Sequence, residues 1–247
     1  MILSREEQAA RNNALWCDSM CRAHGVPGEF HETAWLYRHP VPRFHSNLVT
    51  LSNQRQTAAQ LALIRELAAS HLPEHWTIKD SFRESDLQPL GFQPLFEANW
   101  IWRAVSTIAR IGLAGRMPWG RLQDEAELAA WENAWKRDPA NTSPTQPARQ
   151  FLPALLTDPN IAFIAAHQGG EIIAGAILNR TGEVVGVSNI FAPPEDGASF
   201  WAGCVALSMQ IFPGMPLVGY ERGPELAIAE SLGFEKLHPL RVWMHRP

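Results

Sequence analysis

Apolar positions along the 247-residue chain switch between helical and alternating periods, and the switches mark the elements. Residues 5–24 carry an apolar stripe through Leu15, Trp16, Met20 and Cys21, the spacing of one helix face. Ser4 is its N-cap, with Glu7 three positions on as partner in a capping box, and His24-Gly25 ends it. Short β-branched and aromatic runs at Ala34–Arg38 and Ser46–Leu51 predict strands. Thr57–Ser70 predicts a helix with Leu61, Ile64, Leu67 and Ala68 on one side. Trp76–Asp80 then reads as a strand, Ser85–Leu90 as a helical turn closed by Gly91, and Phe92–Arg103 as a strand-rich run.

The second half repeats this alternation at greater length. Trp119–Leu122 is a short strand, and Asp124 caps a helix containing Leu128, Trp131 and Trp135. The two tryptophans share a face, which reads as core packing rather than an aromatic ligand box. Residues 138–148 form a Pro/Ser/Thr loop, and Phe151–Leu156 a short helix. Ile161–His167 and Glu171–Asn179 flank Gly169-Gly170 as a hairpin. A second turn at Thr181-Gly182 leads into a strand from Val184, stopped by Pro193 and Pro194. A helix from Ala198 carries Phe200, Trp201, Val205, Leu207 and Met209. After the Pro213-Gly214 break come a strand at Leu217–Glu221, a helix at Pro224–Leu232 closed by Gly233, and a last strand region at Phe234–His245.

The halves match at one offset. Ser46-Asn47-Leu48-Val49 lines up with Ser188-Asn189-Ile190-Phe191, and Leu90-Gly91-Phe92 with Leu232-Gly233-Phe234, both 142 residues apart. Like elements lie between these anchors, so a duplication is the preferred reading. The copies divide as residues 1–115, shortened, and 116–247, with Gly112, Gly115 and Pro118 marking the boundary.

Composition narrows the function. A net charge of −4 without a basic block argues against a nucleic-acid partner. No apolar run approaches the ~20 residues of a membrane helix, and the polar start, MILSREEQAARNN, is no secretory signal. A cytoplasmic address follows as the expectation. Three cysteines build no disulfide framework. Cys17 and Cys21 share a helix face without further ligands, and Pro73 interrupts the His71/His75 pair, so no metal site is expected.

The strand–helices–meander–helix–strand–helix–strand order of the second copy, with its "ESLGFEKL" ending, resembles the GNAT (acyl-CoA N-acyltransferase) superfamily over residues 117–247, and over 30–103 as a shortened copy. The implied fold class is α/β (α+β): two GNAT-like mixed-sheet domains in tandem, the first shortened. The resemblance implies acetyl-CoA as cosubstrate and a small amine as acceptor, with the thioester attacked directly. It places the pantetheine arm along Val187–Ala192, where backbone groups serve whatever the side chains are. The implied binding residues are Asn189, Ile190, Phe191 and Ala192 on the strand, and Gly197, Ala198 and Ser199 where a helix N-terminus meets the diphosphate.

This copy departs from the family loop. Gly197 stands in place of the usual arginine, Ala198 in place of the first glycine, and Phe200 in place of the second. On this reading Phe200 blocks the close approach of the diphosphate and Phe200→Gly tightens CoA binding. Glu195 and Asp196 repel the diphosphate if they face it. The usual proton-donating tyrosine is Ala229 here and Leu87 in the first copy, so no catalytic residue is assigned. Tyr220 as a donor and Glu221 as a base are substitutes, with ordinary strand-end roles the alternative. In the first copy Gln54-x-x-Thr57-x-Ala59 approaches the family loop, with Arg55 adding positive charge; an ordinary helix-capping loop is the other reading. The function expected is N-acyl transfer from acyl-CoA to a small amine. The rival is a GNAT fold that has lost catalysis and serves as a binding or regulatory module. A homodimer, or a pseudo-dimer of the two copies, is compatible with either.

Overall fold

Residues 3–53, 57–70, 76–105, 118–138, 141, 149–193 and 196–245 are described by the computed structural model. The chain divides into two units, Met1–Trp100 with Leu237–Pro247, and Ile101–Lys236.

The first unit opens with α1 (Arg5–Ala23), where the capping box forms as expected: Glu7 N–H donates to Ser4 Oγ at 3.2 Å, and Ser4 N–H to Glu7 Oε2 at 3.0 Å. Strands β1 (Glu29–Phe30), β2 (Ala34–Leu36) and β3 (Leu48–Thr50), helix α2 (Thr57–Ala69), and strand β4 (Thr77–Asp80) follow. A 3-10 turn at Gln88–Leu90 ends on Gly91 at φ +82°, leading into β5 (Phe92–Arg103). The sheet order is β1-β2-β3-β4-β11-β5, β11 being the last strand (Glu235–His245). Alternation sends Ala34, Leu36 and Leu48 to the α2 side with Ile64 and Leu67, and Trp35, Tyr37 and Val49 to the α1 side with Ala14 and Cys17. Strands β2 and β3 are therefore buried on both faces, which explains their near-continuous apolar runs.

The sequence repeat runs to the C-terminus, yet Leu237–Pro247 groups with the first hundred residues. The register is the reason: Arg241–Met244 pairs antiparallel with Thr77–Asp80 of β4. Arg241 adds an ion pair to Glu97 at 2.5 Å. Most of the connector at 104–115 and most of the 138–148 loop lie outside the described residues.

The second unit runs from β6 (Trp119–Arg121) and α3 (Glu125–Trp135) to the meander β7 (Ile161–Gln168), β8 (Glu171–Thr181) and β9 (Val184–Phe191). Helix α4 (Gly197–Ile211), strand β10 (Leu217–Glu221) and helix α5 (Gly223–Ser231) complete it. The order within this unit is β10-β9-β8-β7-β6. The expected short helix at Phe151–Leu156 is a 3-10 turn at Pro153–Thr157, because Pro153 suits a first helical position and Phe151 is drawn into the core instead. There Phe151 meets Trp131, Trp135 and Phe163 edge-on at 5.3–5.5 Å. The tryptophan pair is thus core packing. On the opposite face Trp201, Cys204 and Val205 of α4 cover Ile164, Leu178 and Val185.

Gly175 on β8 is a position where only hydrogen fits. A Cβ there would stand 2.3 Å from Trp131 Nε1, 2.7 Å from Phe191 Cε1 and 2.8 Å from the Ile164 carbonyl. Trp131 is fixed by its own bond to that carbonyl at 2.9 Å. Gly175→Ala is expected to cost about 1–3 kcal/mol. Urea unfolding should show a lower midpoint at unchanged slope; an unchanged midpoint would contradict this packing account.

Candidate functional site: the parting of two parallel strands

Strand β9 is paired differently along its two edges. Toward β8 it pairs from Thr181↔Val184 to Ile177↔Ser188, and then resumes at Gly175↔Phe191 with a register shift. The residue taking up the shift is Asn189, whose φ is +52°. This is a bulge with its extra residue in the left-handed region, where asparagine is the most tolerated side chain after glycine. Toward β10 the parallel ladder holds only Val185↔Leu217 and Gly186↔Val218. The sequence offered one signal for the bulge, an asparagine interrupting a β-branched run.

Beyond that point burial changes. Val184–Val187 are buried, whereas Ser188–Phe191 and Gly219–Glu221 are all half-buried. The side chains near the bulge are nevertheless anchored. Phe191 packs edge-on against Trp131 at 5.1 Å, over the gap at Gly175. Ile190 joins the core beneath α4, and Ala192 packs beside Phe200. Ser188 Oγ is buried and without a hydrogen-bond partner, which costs about 1–3 kcal/mol if nothing satisfies it. The structure thus brings Asn189, Ile190, Phe191 and Ala192 together on the parted segment.

Helix α4 begins at Gly197, one residue before the expected start. Ala198 and Ser199 are exposed in its first turn, which holds no acidic residue, and Asp196 makes no capping bond. Four N–H groups of a helix start lack intrahelical partners and sit at the positive end of the dipole. The nearest atom to a Cβ added at Gly197 is Ile228 Cδ1 at 3.5 Å, so backbone approach is unhindered there.

Phe200 does not play the blocking part read from its position. Its side chain is 4% exposed and packs inward against Trp119, Ala166 and Ala174. A helix rotates successive residues by about a quarter turn, so Phe200 faces the core while Ala198 and Ser199 face solvent. Pro194 and Glu195 lie outside the described residues, as do His71, His75 and the Gln54–Gln56 stretch of the first copy.

Among titratable groups here, Glu221 stands out. It is half-buried at the end of β10 and makes no hydrogen bond or ion pair among the described residues. Burial pushes its carboxyl up to about 8; the neighbouring Glu225 carboxylate adds to this and the Arg222 guanidinium opposes it. Ala229, in the place of the family tyrosine, is fully buried. The three cysteines are free and buried, and no group of three metal-ligating side chains occurs among the described residues. No helix there is long and apolar enough to cross a membrane.

The first unit treats the equivalent strands differently. Its parallel ladder holds Leu48↔Ile78 and Val49↔Lys79, and β3 is buried throughout. Just past the ladder, Ser81 N–H donates to Thr50 Oγ1 at 2.9 Å. Gln60 Nε2 donates to the carbonyls of Ser52 and Thr33 at 3.1 and 3.2 Å. At the 142-residue offset, Thr50 lines up with Ala192 and Gln60 with Ala202, whose side chains have nothing to donate or accept.

No protein-family model matches the chain, and no curated protein matches it. Solved structures do. A functionally unknown conserved protein from Staphylococcus epidermidis is similar at TM-score 0.63 and 8% identity, over 88% of this chain and 92% of that one. A GCN5-related N-acetyltransferase from Kribbella flavida is similar at TM-score 0.58 and 12% identity, over 97% and 96%. A tandem GNAT protein from the clavulanic acid biosynthesis pathway is similar at TM-score 0.54 and 16% identity, over 80% and 73%. The protein has a mixed α/β fold, and that fold is the GNAT fold. Likenesses at such identities concern the fold alone.

Two outcomes follow. Phe200→Ala should lower stability by about 3–5 kcal/mol without tightening CoA binding; calorimetry showing tighter binding would restore the blocking role. The unfolded chain releases the Glu221 proton from about pH 4.3 upward, whereas the folded chain holds it to about 8. Stability therefore falls as pH rises through that window. Glu221→Gln should remove this slope, raising the thermal midpoint more at pH 9 than at pH 5; an equal rise at both would contradict it.

Proposed function

We propose that the second unit is an acyl-CoA-dependent N-acyltransferase that moves an acetyl or related acyl group to a small amine. The observation that carries this reading is the parting of β9 and β10 after Gly186 and Val218. Main-chain N–H and C=O groups on the facing edges have no ladder partner there, and an extended amide-bearing arm is the complementary shape. The orphaned Ser188 hydroxyl and the non-acidic first turn of α4 fit the same cosubstrate. Asn189, Ile190, Phe191 and Ala192 would line the arm, and Gly197, Ala198 and Ser199 would present N–H groups to the diphosphate. We also propose that the chain arose by duplication, with the copies dividing at residues 1–115 and 116–247, and that only the second copy binds acyl-CoA.

A second reading has support of its own: Ala229 supplies no proton where the family has its tyrosine, which suits a binding module without turnover. Thiol release from acetyl-CoA over a panel of aliphatic amines separates the two readings.

Titration calorimetry with acetyl-CoA should give one site per chain. Thermal stabilisation of about 2.7 kcal/mol is expected at 100 times the dissociation constant. Two sites, or none, would overturn the assignment. Ser199→Glu should raise thermal stability slightly, since acidic groups favour a helix start. It should also weaken acetyl-CoA binding roughly tenfold by charge repulsion; unchanged affinity would move the diphosphate away from α4.

A further inference from the structure

We propose that Glu221 is the catalytic proton carrier of this site, donating to the CoA sulfur as the thioester breaks. The assignment rests on the acyltransferase reading above. It starts from position. Val218 is the last β10 residue in the ladder with β9, so Glu221 lies three residues into the segment that has left it. There it follows the half-buried Gly219 and Tyr220. Side chains alternate along a strand, which sends Glu221 and Tyr220 to opposite faces, and Tyr220 is engaged by an interaction of its own. Helix α5 offers no buried rival: its carboxyls, Glu225 and Glu230, are exposed, Ala229 is fully buried at the tyrosine position, and Ser231 Oγ donates to the Ile228 carbonyl.

Chemistry then selects this carboxyl. A half-buried carboxylate with no hydrogen-bond or ion-pair partner among the described residues is costly to ionise, so the group keeps its proton. Burial and Glu225 on α5 hold it protonated to about pH 8 against the single opposing charge, Arg222. An acid poised near the operating pH can both give and regain a proton. The amine nitrogen forms the new C–N bond and the C–S bond breaks. Glu221 protonates the leaving sulfur, and its carboxylate takes the proton released by the new amide nitrogen. Amine and thioester thus become amide and thiol with the enzyme unchanged.

The test uses the full chain with carboxyl-labelled glutamate. The resonance missing from Glu221→Gln should titrate near pH 8 and respond differently to CoA and to desulfo-CoA, which lacks only the sulfur. Glu221→Gln should bind acetyl-CoA within about twofold of the wild type while kcat falls by roughly 100-fold or more. Glu225→Gln should move the alkaline fall in activity to lower pH, because removing the like charge eases ionisation of Glu221. An identical response to CoA and desulfo-CoA, or an unchanged kcat in Glu221→Gln, overturns the assignment and leaves the acyltransferase reading standing. Failure of CoA to bind removes that reading, and the assignment with it.

Discussion

A backbone hydrogen-bonding requirement governs the second unit. Every strand residue brings one donor and one acceptor on the main chain, and each must find a partner. Along β9 the requirement is met on both edges as far as Gly186, and toward β8 almost to the end. One extra residue, Asn189 at φ +52°, breaks the regular pleat. A bulge bends and twists its strand, and the β10 edge is where that bend has no ladder to oppose it. The rest follows locally. Phe191 comes down over Gly175 against Trp131, and the chain turns into α4 after Pro193.

The first unit shows what the same repeat does without that freedom. Its strands β3 and β4 pair where the second copy has parted, and its next polar groups are already committed. The Ser81 N–H goes to Thr50, the Ser81 carbonyl accepts from Trp100 Nε1 at 2.8 Å, and Gln60 bridges the Thr33 and Ser52 carbonyls. In the first unit these side chains hold groups that, in the second, the proposed ligand would meet. The alanines 142 positions on, 192 and 202, have no side-chain donor or acceptor for two of the three.

Much of this architecture was legible because it rests on short-range signals. Ser4 with Glu7, Asp124 before α3, Gly91 and Gly233 after their helical turns, and the alternation in β2 each act within a few residues. Asp124 Oδ1 accepts from Glu127 N–H at 2.9 Å, as an N-cap should. What escaped depends on partners far along the chain. Nothing near Leu237 says that the last strand pairs with residues 77–80. Nothing in the loop sequence says that Phe200 turns to Trp119, 81 positions earlier. The raised Glu221 pKa depends on burial and on Glu225 across a turn, neither of which a residue type reveals.

That contrast bears on how a degenerate motif is weighed. The family loop is recognised by glycines, yet its work is done by N–H groups that most residues supply. In this chain Ala198 and Ser199 replace that pattern while remaining exposed in a first helical turn that holds no acidic residue. Phe200, the most discordant residue by sequence, is spent on the core. Loss of the motif therefore removes backbone flexibility rather than the donors themselves. The proposed proton transfer is different, because it would need a particular side chain. Ala229 is part of the core, so under the proposed activity that role would fall to an acid on the parted strands. Glu221 is there, half-buried and without a hydrogen-bond or ion-pair partner among the described residues.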